Sequence, residues 1–318
     1  MKYNFCGNSG LQLPEISLGL WHNFGDVDDF DMATSMLVHA FDSGITHFDL
    51  ANNYGPSPGS AETNFGKILA KELKGHRDEL IISSKAGHLM WDGPYGDGGS
   101  RKYITASIDQ SLKRTGLEYF DIFYSHRYDP QTPIEETMQT LVDIVKQGKA
   151  LYIGISKYPP EKLTQAYEYL KEQHVPCLIY QDKYSMLVRD PEQEHLSLND
   201  KYGVGFIAFS PLAQGLLTNK YLHGIPETSR AYKSHGFLQK EEVTTEVIQK
   251  VQALDEIAKG RGQTLAQMAL AWLLHNEKVT SVIIGTSSLA QLKDNLRSRE
   301  CTDFSTEEMA LIEKILAN

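Results

Sequence analysis

Cysteine is scarce in this chain: three in 318 residues, at Cys6, Cys177 and Cys301, far apart and odd in number. That count excludes a disulfide framework, and with no CxxC or paired Cys/His spacing no zinc or other metal site is expected. Long apolar runs are missing too. The longest, Met268 to Leu274, is far too short to cross a bilayer, and Met1-Lys2-Tyr3-Asn4-Phe5-Cys6-Gly7 lacks the apolar core of a signal peptide. A reducing cytoplasm is the compartment these absences suggest. Basic residues are outnumbered, 31 Lys and Arg against 41 Asp and Glu, which leaves a net charge of −10. Such a balance argues against nucleic acid or a membrane surface as partner, since both call for clustered cations. Low-complexity tracts and Pro/Ser-rich linkers are also absent, so no boundary divides the chain.

What is present is an alternation. Eight short β-rich runs, each followed by a helical pattern, occupy Ile16–Trp21, Thr46–Ala51, Leu80–Lys85, Ile122–His126, Leu151–Ser156, Leu178–Gln181, Gly205–Ser210 and Ser281–Gly285. Several are apolar at consecutive positions, as in Leu80-Ile81-Ile82 and Val282-Ile283-Ile284, which suits parallel strands buried on both faces. After Pro133, the apolar residues Ile134, Met138, Leu141, Val142 and Val145 share one helix face. Thr132-Pro133-Ile134-Glu135 reads as a capping box at its start, Gly148 as its stop, and Ser305-Thr306-Glu307-Glu308 opens a last helix in the same way.

Eight strand–helix alternations predict an α/β fold, a (β/α)8 TIM barrel, as one domain over residues 1–318. A doubly wound open sheet would alternate too, but no G-x-G-x-x-G follows the first strand and no Walker A sequence occurs. Lys2–Phe5 and Leu11–Leu13 flank Gly7-Asn8-Ser9-Gly10 and predict a β-hairpin closing the barrel's bottom. Two long loops, His88–Lys102 and Pro211–Glu242, follow the third and seventh strands, and extra helices are expected toward the C-terminus.

Active sites of such barrels lie at the C-terminal strand ends. Here those ends carry Trp21, Asp49 with Tyr54, Lys85, His126, Ser156, Gln181, Ser210 and Gly285. Singly, each has an ordinary reading: Asp49 as a turn cap, Tyr54 as packing under a loop, Lys85 as a solvated end, His126 as a hydrogen-bonded core residue. Together they have a chemical logic. A free phenol has a pKa of about 10; a neighbouring ammonium favours its phenolate; a carboxylate can hold that ammonium; and an imidazole can orient a carbonyl oxygen.

Three stretches, Ile45-Thr46-His47-Phe48-Asp49-Leu50-Ala51-Asn52-Asn53-Tyr54-Gly55, Ser83-Ser84-Lys85 and Asp121-Ile122-Phe123-Tyr124-Ser125-His126, resemble the aldo-keto reductases. The resemblance runs over essentially the whole chain. It implies a barrel of NAD(P)H-dependent carbonyl reductases in which Asp49, Tyr54, Lys85 and His126 form the catalytic tetrad. It further implies that Trp21, Asp49 and Tyr54 also touch NADP(H), and that Ser156, Lys157 (where the family has Asn) and Gln181 surround the nicotinamide carboxamide. Tyr184 would stack on the nicotinamide ring. Ser210, Pro211, Leu212, Gln214 and Gly215 would wrap the pyrophosphate, Lys220 and Arg230 would face the phosphates, and Gly285, Ser287, Gln291, Asp294 and Asn295 would bind the adenosine end. A loop entering a helix N-terminus suits such phosphate binding.

Within the family the chain is similar to two branches, the potassium-channel beta subunits and bacterial reductases of small aldehydes. Channel subunits tend to have Asn at the position of His126, so the histidine fits a working reductase. The implied reaction is reduction of a small aldehyde or ketone, a triose phosphate or methylglyoxal-like compound, with NADPH as hydride donor and Tyr54 as general acid. Trp21 and Trp91 would wall the substrate, and Arg127 is a candidate for a substrate phosphate. Arg101 with Lys102 is another, or else Arg101 pairs near its own helix. The alternative function is an NADPH-binding redox-sensing subunit with slow turnover. Both branches are oligomeric, so a homo-oligomer is the implied assembly.

Overall fold

The computed structural model describes residues 1–222, 224, 225, 238 and 240–317. It begins with an antiparallel hairpin, β1 (Tyr3–Phe5) and β2 (Gln12–Pro14). Then come eight parallel strands: β3 (Ile16–Gly19), β4 (His47–Asp49), β5 (Ile81–Ala86), β6 (Phe120–Ser125), β7 (Ala150–Ser156), β8 (Cys177–Lys183), β9 (Gly205–Phe209) and β10 (Ser281–Ile284). They pair in chain order and β10 pairs with β3, closing a barrel. All eight strand runs expected from the sequence are found, and the open-sheet alternative is excluded by closure.

Helices α1 (Phe30–Asp42), α2 (Ser60–Glu72), α3 (Arg101–Thr115), α4 (Ile134–Lys146), α5 (Pro160–Glu172) and α6 (His195–Tyr202) follow β3 to β8 in turn. Between β9 and β10 stand α7 (Thr245–Gly260) and α8 (Leu265–His275); α9 (Leu289–Leu296) and α10 (Thr306–Ala317) end the chain. The extra pair is α7 and α10, which pack on each other.

The strands read as apolar on both faces because they serve two cores. Ile122, Tyr124, Ile179, Ile207 and Ile283 fill the barrel, while Phe48, Ile82, Phe123, Ile155, Tyr180 and Phe206 belong to the layer between sheet and helices. Alternate residues point opposite ways, so the inward residue nearest the C-terminal end of each strand is fixed by parity. Close packing sets one glycine: a Cβ on Gly154 would lie 2.3 Å from the Tyr124 ring. The hairpin closes the N-terminal end, as expected. Asn4 Nδ2 donates to the Thr280 carbonyl, Asn8 N donates to that of Gly203, and Cys6 and Leu13 join the inner core.

Side chains cap the starts of six of the ten α-helices among the described residues. Asp29 Oδ1 accepts from Asp31 N and Met32 N at the start of α1, and Thr264 with Gln267 forms a capping box on α8. The box expected at Ser305 is present, Glu308 N donating to its Oγ and Glu308 Oε2 accepting from Ser305 N. The one expected at Thr132 is not. Its hydroxyl donates instead to Asp129 Oδ2, 2.7 Å away, and α4 starts after Pro133 without a side-chain cap. Gly148 ends α4 with a φ of 73°, as expected.

Candidate active site

Parity brings Asp49, Lys85, Ser156 and Gln181 inward to one mouth, with His126 directly after β6 and Tyr54 in the turn after β4. Lys85 Nζ donates to Asp49 Oδ2 at 2.6 Å, to the Leu50 carbonyl at 2.7 Å and more weakly to the Tyr54 hydroxyl at 3.4 Å. Asp49 Oδ1 accepts from Ser83 Oγ and Gln181 Nε2. The four residues expected to act together are therefore in one cluster. Trp21 stacks at 6.0 Å on one side of the Tyr54 ring, and the His126 ring meets it edge-on at 5.8 Å.

Electrostatics depart from the sequence expectation at one point. Burial, and then the Asp49 carboxylate, push the Tyr54 phenol well above its ordinary pKa rather than below it. The resting phenol is thus protonated at neutral pH. Burial lowers Lys85, with Asp49 and Glu62 opposing. His126 is held well below 6.5, first by burial and then by Lys85, so its imidazole is neutral at pH 7.

Under this cluster runs a chain of buried polar contacts. Ser83 Oγ lies 3.0 Å from His47 Nε2, and His47 Nδ1 lies 2.8 Å from Ser17 Oγ. Burial drives His47 down to about 4, so the folded protein holds it neutral while the unfolded chain titrates near 6.5. In that window the unfolded state binds the extra proton, so stability falls as pH drops from about 6.5 towards 4 and is unaffected above it. The His47 share is on the order of 3 kcal/mol. Urea midpoints measured from pH 7 to pH 4 are expected to decline, and to decline less steeply in His47→Gln.

A nicotinamide cofactor fits the residues present. Ser156 Oγ and Asn295 Nδ2 are buried with no hydrogen-bond partner among the described residues, at the two ends of the expected cofactor path. Ser210, Ala213 and Gln214 all have positive φ (53°, 45° and 59°), and so does Gly215, giving the tight loop expected of an anion-binding turn. Pro211 and Leu212 are buried beside it. Ser287 donates through N and Oγ to Gln291 Oε1 before the start of α9, with Gly285 exposed ahead of them.

Other expectations are redirected. Tyr184 does not face the mouth: it packs on Phe206 and Trp272, outside the barrel, and its hydroxyl donates to Glu192 Oε1. The inward aromatic is Phe209, at the end of β9 and packed on the inner core. Asp294 turns to α8, where Gln267 Nε2 donates to its Oδ1 at 2.7 Å. Trp91 packs on Tyr103, bracing the loop after β5, whereas the ring beside Tyr54 is that of Trp21. Arg101 pairs with Asp143 on α4 and thus follows the helix-pairing reading. Arg127 donates to the Gly87 carbonyl and to Asp97 Oδ1, and Lys220 is exposed. Arg230 lies outside the described residues. His88, not singled out in the sequence, sits with its ring 4.5 Å from that of His126, and its Nε2 is 3.0 Å from Lys157 Nζ.

The C-terminal mouth of the closed parallel barrel thus carries a buried Lys–Asp pair under a tyrosine and a neutral histidine. Residues 15–317 match the model of the Aldo/keto reductase family, and the chain belongs to that family. It is an NAD(P)H-dependent oxidoreductase. L-glyceraldehyde 3-phosphate reductase of Escherichia coli K12 is 54% identical, with all of this chain and 93% of that protein aligned. A probable voltage-gated potassium channel subunit beta of Arabidopsis thaliana is 36% identical over 94% of this chain and 91% of its own, and one of Oryza sativa subsp. japonica is 34% identical over 100% and 96%. No helix among the described residues is long and apolar enough to cross a membrane.

Proposed function

We propose that the protein reduces the carbonyl group of a small aldehyde or ketone, with NADPH as reductant and Tyr54 as the general acid. The observation that carries this reading is the Lys85 ammonium, bonded to Asp49 and reaching the Tyr54 hydroxyl beneath His126. Bound NADPH supplies the hydride. Tyr54 gives its proton to the oxygen as negative charge develops there, and its raised pKa keeps that proton in place at neutral pH. His126, neutral and edge-on to the phenol, orients the carbonyl oxygen; Lys85, held in place by Asp49, contacts the phenol and supplies positive potential against the forming alkoxide. Trp21 bounds the substrate on the other side.

Ser156 and Gln181 suit the carboxamide of the cofactor, Phe209 takes the stacking place expected of Tyr184, and the turn at Ser210–Gly215 suits the pyrophosphate. Family resemblance favours NADPH over NADH. The name of the 54%-identical bacterial relative makes glyceraldehyde 3-phosphate the first substrate to try. The test is NADPH oxidation against a panel of phosphorylated and neutral aldehydes. Turnover within seconds on at least one supports the reductase. Turnover confined to minutes or hours on all of them favours the slow redox-sensing subunit, a reading supported by the likeness to channel subunits.

A further inference from the structure

We propose that Lys157, held by His88 at the mouth of the barrel, is the anchor for an anionic group on the carbonyl substrate, and so decides preference for phosphorylated over neutral aldehydes. The proposal rests on the reductase reading of the site. Lys157 follows β7 directly and has a left-handed φ of 54°, a conformation that a non-glycine side chain adopts at a cost. From there its ammonium reaches His88, which follows β5, two strands away across β6. The Ser210–Gly215 turn follows β9, two strands from β7 on the opposite side. Lys157 therefore leans away from the expected pyrophosphate and toward His126, whose ring touches that of His88.

Its charged surroundings favour an incoming anion. Lys85 on β5 and Arg127 after β6 repel it, and Asp182 on β8 attracts it. The Asp182 carboxylate is already engaged, accepting from the Tyr180 hydroxyl at 2.6 Å and from Lys183 N at 2.7 Å. Arg127, the other cation at this corner, is spent on Asp97 and the Gly87 carbonyl. Among the described residues no carboxylate lies within ion-pair distance of Lys157. Its partner is instead His88, which burial and the cations Lys157 and Arg127 keep neutral with a pKa of about 4. Nε2 of His88 therefore accepts from the ammonium and fixes its position without neutralising it. A half-buried cation without a counter-charge, one ring removed from the histidine that orients the carbonyl, is a partner for a phosphate two carbons from that carbonyl. Burial and the neighbouring cations bring Lys157 down to about 8. A phosphate monoester stays dianionic above its second pKa of about 6, so a loss of binding above pH 8 would report the lysine.

Glyceraldehyde 3-phosphate and glyceraldehyde differ only in the phosphate and serve as the matched probes, with NADPH saturating. In Lys157→Ser the ratio of kcat/KM for the phosphorylated over the neutral aldehyde is expected to fall about 10-fold or more, carried by KM. Lys157→Arg is expected to keep most of the ratio, and in the parent enzyme the ratio is expected to decline from pH 7 to pH 9. If the serine variant loses both aldehydes equally, or the parent ratio is flat across pH 8, the proposal is overturned and Lys157 serves the cofactor or the fold. A parent enzyme inactive on both aldehydes overturns the reductase reading itself, which separates the two failures.

Discussion

Tyr54→Phe is expected to lower carbonyl turnover by roughly 10²- to 10⁴-fold, the range general acid catalysis supplies, while NADPH still binds and quenches protein fluorescence. The substitution is unusually clean here. It removes one oxygen and keeps the ring that Trp21 and His126 pack against, at 6.0 and 5.8 Å. The hydroxyl's contact with Lys85, at 3.4 Å, is the longest of the three made by that ammonium, which stays bonded to Asp49 and Leu50. Stability should therefore change by less than about 1 kcal/mol, so a lost rate cannot be ascribed to a lost fold. Steady-state assays combined with fluorescence titration of NADPH decide the matter. A variant that keeps parental turnover would remove Tyr54 from the chemistry.

Much of this site was legible because its chemistry is local to strand ends. Lys85 and Gln181 each close a run with a polar side chain, Asp49 lies two residues before the end of another, and a barrel must bring such ends to one rim. What escaped depends on side-chain direction or on neighbours distant in sequence. In Gly205-Phe206-Ile207-Ala208-Phe209 both faces are apolar, so the pattern carries no sign of which aromatic points inward; only the closed barrel separates Phe206, in the outer layer, from Phe209, in the inner one. Tyr184, placed by resemblance, stands just beyond β8 and three residues from the inward Gln181, so parity turns it outward onto Phe206 and Trp272. His88 carries no periodic signal because it lies in a loop, and its partners His126 and Lys157 are reached only when β5, β6 and β7 lie side by side. The Tyr54 pKa was misjudged in direction because the nearby ammonium was weighed without the burial and the carboxylate that accompany it. At Thr132 a local rule failed to a nearby competitor, the Asp129 carboxylate.

The largest effect on the fold itself is expected from the charged pair. Lys85 is fully buried and Asp49 nearly so, and the two are 2.6 Å apart. Burying two ions costs more than their attraction returns unless every remaining group is bonded. Here Ser83 and Gln181 serve Asp49, and the Leu50 carbonyl serves Lys85. Lys85→Met leaves the Asp49 carboxylate buried and unpaired, so a loss of about 3–5 kcal/mol is expected. Adding Asp49→Asn removes that stranded charge while keeping an oxygen for Ser83 and Gln181, and should restore most of the stability. Turnover should stay low in both, because neither has an ammonium beside the Tyr54 hydroxyl. Urea denaturation followed in parallel with NADPH oxidation separates the outcomes. Recovery of stability without recovery of rate means the pair is kept for the chemistry of the phenol; a double variant as unstable as the single one would mean that the pair is structural first.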